Sequence, residues 1–393
     1  MEQAGFDVLV AVENDPVHAC AYKFNFPLTE VICADIAQLT ADTVRQAAVK
    51  AWFAHHCQTE EQWDGQIDLV FGGPPCQGFS LMGKRLVDDD RNQLILEFCR
   101  LVIELNPRYF VMENVPGMVA GKHKAWLNKL KNKFKYNGYH GRAQILNAAD
   151  FGVPQRRKRL FFCGAQAGIR VYFPKPVAGN LVKVIDAIAD LPDLDSFPEL
   201  KTTDEVLLSA KQLAKLDQKI SLYAKTLRES NHLAYPRLWN PHLLTSSMQT
   251  QHNQTSIERF AATSANQREP ISHLRRLDLN GLCHTLRAGT GSDCGSYTSP
   301  RPIHPILPRV ISVREAARLH SFPDWFRLHQ TKWHGFRQVG NSVPPLLAQA
   351  VGTQIIAAIG VLPTIPKMIL SQGDTQLLRF EACQAREYLL TNK

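Results

Sequence analysis

Short apolar runs alternate with helix-period stretches through the first 165 residues of the chain. Asp7–Val12 (DVLVAV), Val31–Cys33, Asp68–Phe71 (DLVF), Tyr109–Met112 (YFVM) and Arg159–Cys163 (RLFFC) read as strands. Pro16–Phe24, Thr40–Ala54, Asn92–Leu105 and Lys124–Phe134 read as helices. Such alternation predicts an α/β domain with a parallel sheet covered on both faces. Near Phe173-Pro174-Lys175-Pro176 the pattern changes. Residues 175–310 are richer in Ser, Thr, Asn, Gln and His, with glycine punctuation at Gly289, Gly291 and Gly295, and predict a smaller irregular domain. Helical order returns from Ile311, in Val313–His320 and Pro345–Gly360. The expected divisions are therefore 1–174, 175–310, a return segment 311–363 packing on the first domain, and a peripheral tail 364–393.

Composition narrows this picture. At 393 residues, 45% hydrophobic and 21% charged, the chain suits two or three globular domains and excludes bulk disorder. The longest apolar run, Val351–Leu362, falls well short of the ~20 residues that span a bilayer, and no basic-then-apolar leader precedes Met1-Glu2-Gln3. The nine cysteines show no CxxC and no zinc spacing, so a reducing, cytoplasmic setting without a metal is expected. The net charge of +9 is compatible with a polyanionic partner and equally with a solvated basic surface.

Three segments carry candidate chemistry. Gly72-Gly73-Pro74-Pro75-Cys76-Gln77-Gly78-Phe79-Ser80 follows the strand Asp68–Phe71 directly. Ligands of open α/β sheets sit at the carboxyl ends of strands, so a cysteine on this stiff turn is placed as a thiolate nucleophile. The next strand ends in Met112-Glu113-Asn114. Alone, Glu113 reads as a surface acid at a strand–loop junction; in an apolar cleft it would be held protonated as a donor. In Gln155-Arg156-Arg157-Lys158-Arg159, strand alternation puts Gln155, Arg157 and Arg159 on one face, and planar guanidiniums suit base edges, phosphates and carboxylates. Glu13 and Asp35 each end an N-terminal strand, the place where such sheets bind ribose hydroxyls.

The order PPCQGFS, ENV, QRRKR, Arg314-Glu315-Ala316-Ala317-Arg318-Leu319 and Gln338-Val339-Gly340-Asn341-Ser342-Val343-Pro344-Pro345 resembles the DNA cytosine-5 methyltransferases of bacterial modification systems. The resemblance covers about residues 1–165 and 281–361. It implies a Rossmann-like, S-adenosylmethionine-dependent methyltransferase sheet for 1–174, with a target recognition domain in 175–310. It also implies that Cys76 attacks carbon 6 of a flipped cytosine while protonated Glu113 bonds the ring. Arg159 would contact the cytosine O2 and Arg157 would brace the site. Glu13, Asp35, Pro75, Leu94, Asn341 and Ser342 match cofactor-binding positions. Lys84 and Arg85, in the catalytic loop Gly78–Asn92, together with Gln155, Thr285 and Leu286, are the expected DNA contacts. Double-stranded DNA is the expected partner of a monomer, with a cognate restriction endonuclease as a functional, not physical, counterpart. The tRNA-methylating branch is disfavoured because its Cys-Phe-Thr motif is not found.

Family members open with a strand and a Phe-x-Gly-x-Gly-Gly turn that this sequence does not show. That strand would be the shared partner of Val8–Val12 and Asp68–Phe71. Either the start lies upstream of Met1, or the chain is a truncated, catalytically impaired DNA-binding copy.

Overall fold

A computed structural model describes residues 1–56, 63–75, 93–120, 123–229, 233–289 and 301–391. The first part runs β1 (Val10–Glu13), α1 (Pro16–Asn25), β2 (Glu30–Cys33), α2 (Ala41–His55), β3 (Leu69–Gly72), α3 (Gln93–Leu105), β4 (Tyr109–Asn114), α4 (His123–Tyr136), β5 (Tyr139–Asn147), β6 (Gln155–Arg156) and β7 (Lys158–Gln166). Local chemistry starts the helices. The Asp15 carboxylate accepts from the N–H groups of Val17 and His18 ahead of Pro16, and Thr40 accepts from Thr43 N–H at the head of α2.

The sheet is mixed rather than wholly parallel. Its order is β3-β4-β7-β5, with β3 and β4 parallel and β7 antiparallel to both of its neighbours. The crossover α4 makes β5 run parallel to β4, and the short return after β5 brings β7 back between them in the opposite sense. β5 escapes the sequence pattern because it is an edge strand. Its outward positions carry His140, Gln144 and other exposed residues, so it has no continuous apolar run.

Alternation along β4 builds two cores. Phe110 and Met112 face α3 and α4 with Phe98, Val102, Leu130, Phe134 and Phe162. Tyr109 and Val111 face the opposite way, onto Leu347, Val351 and Ile355. Among the described residues β1 and β2 form a separate parallel pair, so β1 and β3 are each paired there on one side only.

The second part runs α5 (Val184–Ile188), β8 (Val206–Leu207), α6 (Ala210–Asp217), α7 (Leu222–Arg228), β9 (Arg237–Leu238), β10 (Leu243–Leu244), α8 (Gln254–Ala262) and β11 (Cys283–His284). Its strands are two residues long, and much of its order comes from turns. It meets the rest of the chain through α9 (Val313–Leu319), whose residues are all buried. There Val184, Ala187, Tyr223 and Leu227 pack on Val313, Ala316 and Ala317. The fully buried Arg318 ties the junction, pairing with Asp190 at 3.1 Å and Asp324 at 2.5 Å.

α10 (Lys332–Asn341) and α11 (Pro345–Ile359) follow. Lys332–Ile359 taken as one stretch is long and apolar enough to cross a membrane. It is two helices broken before Pro345, however, and α11 turns its Leu347–Val351–Ile355 stripe into the sheet core. The tail corrects the expectation of a peripheral segment. After β12 (Leu370–Ser371), a turn at Thr375–Leu378 and α12 (Ala382–Thr391) put Leu377, Leu378 and Ala385 against Val17, Cys20, Ala21 and Phe24 of α1. The apolar face of α1 needs a cover, and the tail supplies it.

Candidate active site

β4 delivers Glu113 and Asn114 to its carboxyl end, opposite Phe161 and Leu160 of β7. β7 brings Arg159 to the same place, and its Nε donates to Glu113 Oε1 at 2.9 Å. Burial pushes the Glu113 carboxyl above its ordinary value, against the downward pull of Arg159 and Arg157. The acid therefore holds its proton to a higher pH than a free glutamate does. Gly73 is fitted to this neighbour, because a Cβ there would lie 3.0 Å from Glu113 Oε2. Asn114 latches the turn above by donating from Nδ2 to the Pro74 carbonyl at 3.3 Å, while its Oδ1 accepts from Val115 N–H. The Gly73–Pro75 backbone is thereby held over Glu113, with Pro75 exposed at its end. Cys76 lies outside the described residues, as do Lys84 and Arg85.

Arg157 is only 1% exposed. Its Nη1 donates to the Leu286 carbonyl at 2.6 Å, and its Nη2 to the carbonyls of Gly340 at 2.8 Å and Ser342 at 2.9 Å. Burial and the neighbouring Arg159 pull its guanidinium down to about 9, which leaves it charged at neutral pH. One planar fork thus joins the sheet, the end of the second domain and the α10–α11 link. Gly340 is required for that approach, since a Cβ would strike the Arg287–Ala288 backbone.

Gln155 and Leu286, expected as DNA contacts, are buried with their side chains turned into the protein. Gln155 is fully buried: its Nε2 donates to the Leu319 carbonyl and to His320 Nδ1 at 3.0 Å, and its Oε1 accepts from Leu286 N–H. Leu286 belongs to the apolar core of the junction. Both are turned inward because β6 and β11 pair in parallel, Cys283 with Gln155 and His284 with Arg156, and that pairing closes the seam. Thr285 stays half-buried, its hydroxyl donating to the Arg156 carbonyl at 2.7 Å. His320 is a partner that sequence reasoning missed, with no periodic or motif signal to mark it. Burial holds its ring neutral, with Nδ1 accepting from Gln155 and Nε2 donating to the Ser342 carbonyl at 3.1 Å.

Glu13 and Asp35 stand together on the other pair, at the carboxyl ends of β1 and β2. Glu13 Oε1 accepts from Asp15 N–H and Asp35 Oδ1 from Ala37 N–H, both at 2.9 Å. Each carboxylate has a second oxygen, and such acceptors suit the hydroxyls of a ribose diol and an exocyclic amine. Ser342 is half-buried and donates to the Val339 carbonyl, Asn341 is exposed, and Leu94 is half-buried in the first turn of α3. The structure therefore gathers Glu113, Arg157 and Arg159 in one place, with Glu13 and Asp35 on a second pair of strands.

This arrangement has counterparts among known proteins. Residues 1–357 match the family model for C-5 cytosine-specific DNA methylases. The Type II methyltransferase M.XorII of Xanthomonas oryzae pv. oryzae is 49% identical over 384 residues, which are 96% of this chain and 86% of that protein. M.AgeI of Thalassovita gelatinovora is 30% identical over 91% of this chain and 96% of its own length. Among solved structures, a prophage-encoded protein from E. coli described as a DNA modification methyltransferase superposes with a TM-score of 0.69 at 32% identity, over 92% of this chain and 95% of that one. Dnmt2 of S. pombe, at 15% identity and a TM-score of 0.51, shares the fold. The chain belongs to the C-5 cytosine-specific DNA methylase family, and it is a methyltransferase.

Proposed function

We propose that the chain methylates carbon 5 of a cytosine flipped out of a specific sequence in double-stranded DNA. The reading rests above all on the half-buried Glu113–Arg159 pair beneath the latched Pro74-Pro75 turn, one residue before Cys76. A stacked base hides its ring edge, so flipping is needed to bring it to these groups. The Cys76 thiolate adds to carbon 6, forming a C–S bond and moving the ring electrons toward carbon 5 and N3. Protonated Glu113 donates its O–H to N3 and accepts from the exocyclic amine, which stabilises charge as it develops. Arg159 donates to O2, and Arg157, which touches no substrate, positions the strand that carries Arg159.

Glu13, Asp35, Pro75, Leu94, Asn341 and Ser342 are assigned to S-adenosylmethionine. When bound, it supplies the electrophilic methyl group that carbon 5 accepts. A solvent water then takes the carbon 5 proton, the electrons left behind re-form the C5–C6 double bond, and the C–S pair departs with Cys76 as thiolate. The chain acts as a monomer in the cytoplasm, and a cognate restriction endonuclease is its functional counterpart.

One observation favours the impaired-copy alternative: the two cofactor acids stand on a strand pair not joined to β3. Titration calorimetry with S-adenosylmethionine decides between the two readings. Micromolar binding supports the enzyme, and no binding supports the impaired copy. Cys76→Ser is expected to abolish methyl transfer from labelled cofactor to DNA while DNA binding persists; retained turnover removes Cys76 as the nucleophile.

A further inference from the structure

Three exposed or half-exposed arginines and one imidazole ring, from distant parts of the sequence, meet beside the active site. β6 and β11 place His284 opposite Arg156. Arg268 and Arg275 face each other across an isolated antiparallel bridge in the loop that precedes β11. Arg156, Arg268 and His284 are exposed and Arg275 is half-buried. Burial lowers the His284 ring below its ordinary value, and the charges that lower it further are Arg275, Arg156 and Arg268. The acids of the same loop are bonded within it. Glu269 is fully buried and accepts from the N–H groups of Ile271 and Ser272, and Asp278 accepts from Asn266 and Asn280.

Gathering like charges on a surface raises the energy of the free protein, and a polyanion relieves it. The ledge also has a defined address. Arg156 is followed by the buried Arg157, and three positions after Arg156 comes Arg159, the partner of Glu113. Three residues of extended chain, about 10 Å, therefore separate the ledge from the catalytic acid pair. Alternation turns Arg157 into the protein and leaves Arg156 and Lys158 outward.

We propose that Arg156, Arg268, Arg275 and His284 form a phosphate-binding ledge that holds the backbone of duplex DNA next to the reacting cytosine. The proposal rests on the DNA methylation reading above and adds the surface that sets the register. Such contacts position the duplex and carry no base information, so the ledge binds any sequence.

The test is fluorescence anisotropy of the full chain with a labelled duplex of arbitrary sequence across a KCl series. R156Q/R268Q/R275Q is compared with K129Q/K133Q/K135Q, which removes equal charge from exposed positions of α4. The slope of log Kobs against log salt shrinks by about 0.9 for each phosphate that is no longer neutralised, so by about two to three for the ledge variant and by under one for the α4 variant. The single variant R156Q lowers the slope by about 0.9 with an unchanged melting temperature, which separates a missing phosphate partner from misfolding. Equal slope changes in the two triple variants overturn the ledge, as does an unchanged slope in the ledge variant. Methyl transfer by the unaltered chain is measured in parallel. If it is absent while the slopes differ, the chemistry reading fails and the ledge stands; if it is present while the slopes match, the ledge alone fails.

Discussion

The strand ends that carry Glu113 and those that carry Glu13 and Asp35 sit in contrasting surroundings. β4 is buried along almost its whole length between two apolar cores, and its end groups bond to β7 and to the Pro74 carbonyl. β1 and β2 are half-exposed throughout, with Val12 37% exposed, and their acids are oriented by turns two residues away. The difference shows two ways of placing a carboxylate. One uses tertiary packing against a second strand; the other uses a local turn on a pair of strands that stays half-exposed. Substitutions on the first side are expected to disturb folding or rate, and those on the second to disturb only ligand affinity.

The largest effect is expected at Arg157. Arg157→Ala leaves the carbonyls of Leu286, Gly340 and Ser342 without their donor. Urea denaturation is expected to show a loss of about 3 kcal/mol or more, since each unsatisfied buried group costs about 1–3 kcal/mol. An unchanged midpoint would mean that the seam does not depend on this fork.

Next is Glu113→Gln, which keeps the shape and removes the acid. The rate of methyl transfer is expected to fall about 10²- to 10³-fold in single-turnover assays, with little change in stability. In the unaltered chain the rate is expected to decline as pH rises through the elevated pKa of Glu113, because the protonated form is the donor. A rate independent of pH across that range argues against the acid role.

A third effect concerns Glu315, also on the buried side. Burial pushes its carboxyl up, but bonds from Arg309 at 2.8 and 2.9 Å and from Ser312 N–H hold it down at about 2, against an ordinary 4.5. A depressed carboxyl stabilises the fold above its unfolded value. That stability is lost as pH falls from about 4.5 toward about 2. Glu315→Gln is expected to flatten this part of the stability–pH curve, and an unflattened curve moves the acid sensitivity elsewhere.

The smallest change is expected at Glu13→Gln, which retains the oxygen that accepts from Asp15 N–H. Cofactor affinity is expected to weaken about tenfold by calorimetry, about 1.4 kcal/mol, with the melting temperature unchanged. A large fall in melting temperature would erase the contrast between the two sides.

Local signals in the chain account for much of this. Apolar runs mark β1 to β4 and β7, Asp15 and Thr40 mark helix starts, and the Gly-Gly-Pro-Pro turn marks the strand end beside the acid. These features are legible because each is written within a few consecutive residues: alternation, a cap, a stiff turn. The family resemblance follows from the same short segments, and so do Glu113, Arg157 and Arg159 as candidates. Tertiary structure alone decided which way shared motifs face. Gln155 and Leu286 turn inward because a parallel pairing across more than a hundred residues closes over them. β7 enters antiparallel because the chain returns after β5, and the tail becomes core because α1 has an uncovered face. The raised proton affinity of Glu113 likewise depends on burial built from strands and helices far apart in sequence, and no single segment records that environment.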